Sequence, residues 1–367
     1  MEHKLIRKKT RAIHIGKVKV GDLAPIIVQS MTCTDTRDVQ ATACQINVLA
    51  DAGCEIVRVA VVDTVAAQAI AEIKKGITIP LIADIHFDYR LAIEAMKHGA
   101  HGIRINPGNI AKENLKEIIE IAKRDDIAIR IGINAGSLEK DLLEKYHKPT
   151  ASALVESALR SVDFFEANGF RNLKLSLKSS DVLTTIESYR LIAKETDYPL
   201  HLGVTEAGSK IASAVKSSIG IGSLLQAGIG DTIRVSVTGD PLPEVEIAYS
   251  ILRALGLRSV GVNIISCPTC GRCEIDLSAL VAEVEKRLVG IKENFTVALM
   301  GCVVNGPGEA SEADIGIAGG KGSGILFKKG KVIGKVMQND FVETLMKHVD
   351  ILRKEISAEA TENSTPH

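Results

Sequence analysis

Short aliphatic runs alternate with amphipathic stretches through residues 1–255. The runs Pro25–Ser30, Glu55–Ala60, Pro80–His86, Gly102–Asn106, Ala128–Asn134, Asn172–Lys178, Pro199–Val204 and Thr232–Val237 have the length and character of buried parallel strands. Helical patterns lie between and after them: Asp38–Ala52, Thr64–Lys75, Tyr89–His98, Lys112–Arg124, Thr150–Asn168, Asp181–Glu195, Lys210–Gln226 and Pro243–Leu255. Glycine often punctuates their ends, as at Gly53, Gly99, Gly169 and Gly228. Eight strand–helix units in about 250 residues match the size and count of a (β/α)8 TIM barrel. An open doubly wound α/β sheet is the alternative, but no Gly-x-Gly-x-x-Gly follows an early strand.

The pattern changes after residue 255. Gly256–Ser266 reads as a linker, and a cysteine-bearing loop follows it. Leu277, Leu280, Val281, Val284 and Leu288 form the apolar stripe of a helix. Strands are expected at Thr296–Gly301 and Asp314–Ala318, a hairpin around Lys329–Gly330, and a last helix over Asp340–Glu355. Residues 256–355 thus read as a small α+β domain, and 356–367 as a polar tail expected to be disordered.

Side chains alternate along a strand, so i and i+2 share a face. Ile129, Ile131 and Ile133 share one face of their strand, and Arg130, Gly132 and Asn134 the other. Arg104 pairs in this way with Asn106, Asp84 with His86, Lys174 with Ser176 and Lys178, and Arg234 with Ser236. A barrel interior is normally filled with branched aliphatics. Here it is polar and mostly cationic toward the C-terminal strand ends, where barrel enzymes place their active sites. Arg58, Arg104, Arg130, Lys178 and Arg234 come from five strands, and together they call for an anion such as a diphosphate. Internal pairing with Asp84, Glu206 and Asp231 is the competing account. His86 and His201 sit at strand ends, and His86 has Asp84 beside it on the same face.

Composition narrows the field. Lys+Arg and Asp+Glu each number 45, so the formal net charge is zero and nothing global favours nucleic acid or an anionic membrane. The basic start lacks an apolar signal core, and the longest uncharged run, Ser217–Gly230, is too short to span a bilayer. A cytoplasmic location is expected, with reduced thiols. Of seven cysteines, Cys267, Cys270 and Cys273 crowd one loop, and Cys302 lies in a Gly-Cys-Val-Val-Asn-Gly-Pro-Gly-Glu stretch ending at Glu309. Three readings are open: structural zinc on four cysteines, a redox dithiol, or an iron–sulfur cluster. In the last, three thiolates and a non-thiolate leave one iron distinct and open to substrate.

Several ordered motifs resemble the bacterial 4-hydroxy-3-methylbut-2-enyl diphosphate synthase family. They are Val28-Gln-Ser-Met-Thr32, Ala83-Asp-Ile-His-Phe-Asp88, Arg104-Ile-Asn-Pro-Gly-Asn109, Gly132-Ile-Asn-Ala-Gly-Ser-Leu-Glu139, Gly203-Val-Thr-Glu-Ala-Gly208, Cys267-Pro-Thr-Cys270 and the Gly301–Glu309 stretch. The resemblance implies a reductive ring opening of 2-C-methyl-D-erythritol 2,4-cyclodiphosphate. It implies a [4Fe–4S] cluster on Cys267, Cys270, Cys302 and Glu309, with Glu309 yielding its iron during turnover. It assigns diphosphate binding to Arg58, Arg104, Arg130, Asn134, Lys178 and Ser236, with His86, Asn106 and Arg234 lining the pocket and Glu206 handling protons. It further implies reduced flavodoxin or ferredoxin as donor, and a head-to-tail homodimer in which the partner's cluster domain closes each barrel. Cys273 stands outside the family pattern. A rival reading remains: a non-redox barrel enzyme of the dihydropteroate-synthase type with a zinc-binding tail.

Overall fold

The computed structural model describes residues 5–302 and 311–362, in two compact units, Met1–Arg258 and Ser259–His367. In the first unit a short antiparallel hairpin, β1 (Ile13–Ile15) and β2 (Val18–Val20), precedes the barrel. The barrel strands are β3 (Ile27–Met31), β4 (Ile56–Ala60), β5 (Leu81–Asp84), β6 (Gly102–Ile105), β7 (Ala128–Asn134), β8 (Leu173–Lys178), β9 (His201–Leu202) and β10 (Thr232–Ile233). They are parallel and run in the order β8-β7-β6-β5-β4-β3-β10-β9. The ring closes where Leu175 bridges Leu200, with the Leu175 N–H donating to the Pro199 carbonyl at 2.9 Å. The eight predicted strands are all present. β9 and β10 have two residues each, shorter than their aliphatic runs suggested.

The helices are α1 (Val39–Asp51), α2 (Thr64–Lys75), α3 (Tyr89–Lys97), α4 (Lys112–Arg124), α5 (Lys140–Tyr146), α6 (Ala151–Ala167), α7 (Val182–Glu195), α8 (Lys210–Gln226) and α9 (Leu242–Ala254). Asp38, Asp63, Asp88, Thr150 and Asp181 cap five of them, each side chain accepting from a backbone N–H in the first turn. These caps set the strand-to-helix turns at the end of the barrel where function is expected. At the opposite end Ile13, Ile15 and Val20 of the hairpin pack with Ile27, Ile56, Ile82 and Ala128, the first inward positions of four strands. This aliphatic plug closes the N-terminal end and leaves the polar positions above it facing the C-terminal mouth. The hairpin and α5 are absent from the sequence reading. They are short: each hairpin strand has three residues, and α5 has seven where a typical helix has about 11–12.

The second unit is a five-stranded sheet in the order β11-β12-β13-β14-β15. Its strands are β11 (Val262–Ser266), β12 (Phe295–Met300), β13 (Ile315–Gly320), β14 (Ser323–Lys328) and β15 (Lys331–Met337). The first three are parallel, and β14 runs antiparallel to both of its neighbours, β13 and β15. Helices α10 (Leu277–Leu288) and α11 (Phe341–Glu362) bury Leu280, Val284, Leu345 and Val349 against Val297, Leu299 and Ile317. Two expectations are corrected here. Gly256–Ser266 is not a free linker, because Val262–Ser266 pairs in register with Phe295–Leu299. The chain past Glu355 is not all disordered, because helix continues to Glu362. In both places pairing or helix extension depends on neighbours remote from the local composition.

Candidate active site

The barrel interior carries the cations that alternation placed there. Arg104, Arg130 and Lys174 stand in register on adjacent strands, and Arg58 reaches across to the same layer. All four, with Lys178, are buried. Asp84 is the carboxylate among them. Its Oδ2 lies 3.5 Å from Arg58 Nε and its Oδ1 3.3 Å from Arg104 Nη1. Burial alone would raise its pKa, but Arg58, the His86 hydrogen bond, Arg104 and Arg130 outweigh burial and hold it well below the carboxylate range. Arg58 also donates through Nε and Nη2 to Met31 Sδ at 3.2 and 3.0 Å. Arg104 donates through Nη2 to the Asn134 side-chain oxygen at 2.8 Å, once that amide is oriented to satisfy both its ends.

Arg130 and Lys178 differ from these. Nε and Nη1 of Arg130 are buried without a partner, as is Nε of Arg104, and the Lys178 side chain forms no ion pair with a described residue. Burial, then the neighbouring cations, push the pKa of each well below its ordinary value. A guanidinium does not lose its proton in a protein. The stress on Arg130 is therefore relieved by an anion, for which Nε and Nη1 are unused donors on two edges of the guanidinium. In the same layer Lys174 donates to Gln29 Oε1 at 3.5 Å, and His201 sets Nδ1 2.8 Å from Thr232 Oγ1.

The other predicted residues divide. Arg234 is at the mouth, bound to Glu244 of α9 at 3.0 Å. Ser236 is half-buried just beyond it, and its carbonyl accepts from Ser213 Oγ at 2.6 Å. His86 is exposed at the rim, with Nε2 3.6 Å from Asp84 Oδ2. Asn106 is buried and committed to the adjoining loops: it donates to Ser137 Oγ at 2.9 Å and accepts from Gly108 N–H at 3.2 Å. Glu206 is exposed in the loop after β9, in a left-handed conformation with φ of 53°. Of the three acids expected to pair with the cations, only Asp84 does so directly. Asp231 is at the barrel's other end, holding Arg7, Thr10 and the Leu200 N–H. Glu244 does the pairing expected of Glu206. It went unseen because an acid in the first turn of a helix has a sufficient local reason, the helix dipole.

In the second unit β11 and β12 are parallel neighbours, so their C-terminal ends lie at one edge, with Cys267 just past one and Cys302 just past the other. The Gly301 N–H donates to Cys267 Sγ at 3.3 Å. Cys270 is exposed, and a backbone hydrogen bond with Arg272 draws its pKa below the ordinary thiol value. Both features favour thiolate, the metal-binding form. Cys273 differs in one respect: its thiol donates to the Ile275 carbonyl at 3.2 Å, while both it and Cys267 pack on the helical core. Among the described residues no group of three or more His, Cys, Asp or Glu side chains is gathered at metal-binding spacing. Glu309 lies outside the described residues. The soft thiolate donors at this edge suit iron or zinc alike.

No helix among the described residues is long and apolar enough to cross a membrane. A protein of Caldanaerobacter subterraneus is 58% identical over 351 residues, 95% of this chain and 99% of the relative. One of Geobacter sulfurreducens is 55% identical over 346 residues, 94% of this chain and 98% of the relative. Both carry the name 4-hydroxy-3-methylbut-2-en-1-yl diphosphate synthase (flavodoxin). Among solved structures, the dihydropteroate synthase of Stenotrophomonas maltophilia aligns with a TM-score of 0.49 at 14% identity, over 67% of this chain and 98% of that one. That likeness is too weak to support the rival reading of the barrel. The GcpE TIM-barrel domain matches residues 10–249 and the GcpE protein C-terminal domain matches residues 263–351, and the chain belongs to the GcpE family.

Proposed function

We propose that this protein converts 2-C-methyl-D-erythritol 2,4-cyclodiphosphate to (E)-4-hydroxy-3-methylbut-2-enyl diphosphate, an oxidoreductase step of isoprenoid biosynthesis, with reduced flavodoxin as electron donor. The observation that carries the reading is buried Arg130, with Nε and Nη1 unpartnered, beside the buried Lys178, in a barrel where Asp84 holds Arg58 and Arg104 and Glu244 holds Arg234. In acid form the reaction takes up two electrons and two protons, breaks the ring C–O bond to one phosphate, and releases a hydroxyl oxygen as water. Arg58, Arg104, Arg130, Lys178 and Arg234 grip the diphosphate, with Asn134 and Ser236 at its edge. As the ring opens, negative charge grows on the released phosphate oxygen, and fixed guanidinium groups stabilise it without rearranging. Asn106 holds the loops that frame the pocket. His86, kept near Asp84 at the rim, and Glu206 are the groups placed to exchange protons with solvent.

Cys267, Cys270, Cys302 and Glu309 hold a [4Fe–4S] cluster in this reading. When bound, the cluster supplies the electrons and an iron with affinity for the departing oxygen. Two copies act together as a homodimer in the cytoplasm, where thiols stay reduced. Val62, Phe87, Leu183 and Ile211, exposed in or next to the loops that follow four strands, are apolar cover for a second copy. Mixing Arg130→Ala with Cys302→Ser subunits tests that: activity returns if sites are shared, and stays absent in verified heterodimers if each chain serves itself. The function itself is tested by anaerobic turnover of iron- and sulfide-reconstituted protein on the cyclodiphosphate with a dye reductant. Formation of the hydroxymethylbutenyl diphosphate is expected. A brown, iron-loaded protein that leaves the cyclodiphosphate intact contradicts the proposal.

A further inference from the structure

Glu244 is nearly fully buried, yet a carboxylate in that position costs several kcal/mol unless its oxygens are satisfied. Four donors converge on it. Arg234 reaches Oε1 through Nη2 at 3.0 Å and Oε2 through Nε at 3.3 Å. Ser30 Oγ donates to Oε2 at 2.7 Å, and the Val237 N–H to Oε1 at 3.1 Å. These donors come from β3, from the residue after β10, and from the segment beyond it that carries Ser236. The first turn of α9 thus ties two adjacent strand ends together.

The fork also decides which edge of Arg234 is left for a ligand. Nε and Nη2 face Glu244, which leaves Nη1 for the barrel side, where Arg58 and Lys178 feel the guanidinium charge. Ser236 lies between two anchored points, Arg234 and Val237, so its placement follows from the same carboxylate. Asp84 does the corresponding work for Arg58 and Arg104.

We infer that Glu244 is a positioning residue for the diphosphate site, presetting Arg234 and Ser236 before the anion arrives. This rests on the reaction proposed above. Because Glu244 acts on binding in the ground state, its loss raises KM with little change in kcat. Glu244→Gln keeps the volume and one acceptor but removes the charge, and is expected to raise KM about tenfold or more, the order of one charge-assisted hydrogen bond. Glu244→Asp, which keeps the charge, should recover part of that loss.

A double-substitution cycle separates this role from a merely structural one. In an Arg234→Ala background, Glu244→Gln should raise KM by no more than about twofold further, since the group it positions is already gone. Unchanged KM in Glu244→Gln, or effects that simply multiply in the double variant, would overturn the inference. If Glu244→Gln does not fold, Arg234→Lys keeps both charges and breaks only the fork, and an unchanged KM there has the same force. A parent enzyme that fails to reduce the cyclodiphosphate would instead refute the proposed reaction, so the two failures are distinguishable.

Discussion

A β-carbon at Gly132 would stand 2.6 Å from Nε of Arg104, so glycine on β7 is what lets the Arg104 side chain cross from β6. Gly203 does the same for Lys178, whose Nζ would be 2.4 Å from an added β-carbon. Small residues at these two inward positions make the space that charged side chains occupy. Gly132→Ala should displace Arg104 from Asp84 and Asn134 and raise KM about tenfold, the scale of one charged hydrogen bond. Steady-state kinetics checks this, with the visible spectrum of the cluster expected to stay as in the parent.

Arg130 is buried and half unpartnered, so removing it should not weaken the ligand-free fold. Removing a buried charge that lacks a counter-ion removes its desolvation penalty, which offsets the packing lost with the side chain. Arg130→Ala is expected to melt at the same temperature as the parent or above it. The parent should gain about 2.7 kcal/mol with cyclodiphosphate at a hundred times its Kd, and the variant, binding at least about tenfold more weakly, no more than about 1.4 kcal/mol at the same concentration. Thermal melts with and without the cyclodiphosphate measure both halves. A variant that is destabilised yet still responds to the ligand as the parent does would show that Arg130 serves the fold instead.

His201 gives the barrel a pH dependence of known sign. Burial first, then Lys178, Arg130, Lys174 and Arg58, push its pKa well below the ordinary value. The unfolded chain titrates near about 6.5 and takes the proton that the folded one refuses. Stability from this group is therefore complete above about pH 7 and declines as pH falls toward 5, by at most about 1.4 kcal/mol per unit. His201→Gln should flatten the dependence of denaturation midpoint on pH across that window. An unaltered slope would assign the dependence to other groups.

How far the site could be read in the sequence depended on the range of the contact. Alternation along Ala128–Asn134 was enough to aim Arg130 and Asn134 inward, because a strand's period is local. Glu244 was not legible, since it meets Ser30, 214 residues away. Strand β11 was missed for the same reason: its pairing with β12 crosses the whole cysteine loop and α10. Spacing left Cys273 equivalent to its neighbours in the loop, and the thiol hydrogen bond to the Ile275 carbonyl separates it. A β-carbon at Gly301 would come 2.4 Å from Cys273 Sγ, so this sulfur fills the space glycine leaves.

That hydrogen bond makes a prediction about ligation. Cys267→Ser and Cys302→Ser should lose iron, because a hydroxyl is a poor substitute for a soft thiolate. Cys273→Ser should keep iron and turnover, its hydroxyl able to donate to the Ile275 carbonyl as the thiol does. Iron and sulfide content of the three proteins, reconstituted in parallel, decides this. Loss of iron in Cys273→Ser with retention in Cys302→Ser would reverse the assignment.

The central claim is that the barrel cations hold the diphosphate, independently of the cluster chemistry. Equilibrium binding of the cyclodiphosphate to Arg130→Ala and to Cys302→Ser tests it most directly, under anaerobic conditions and without reductant. Cys302→Ser should bind within a few-fold of the parent, and Arg130→Ala at least about tenfold more weakly, the worth of one charged hydrogen bond. Parent-like binding by Arg130→Ala, with binding lost in Cys302→Ser, would contradict the account.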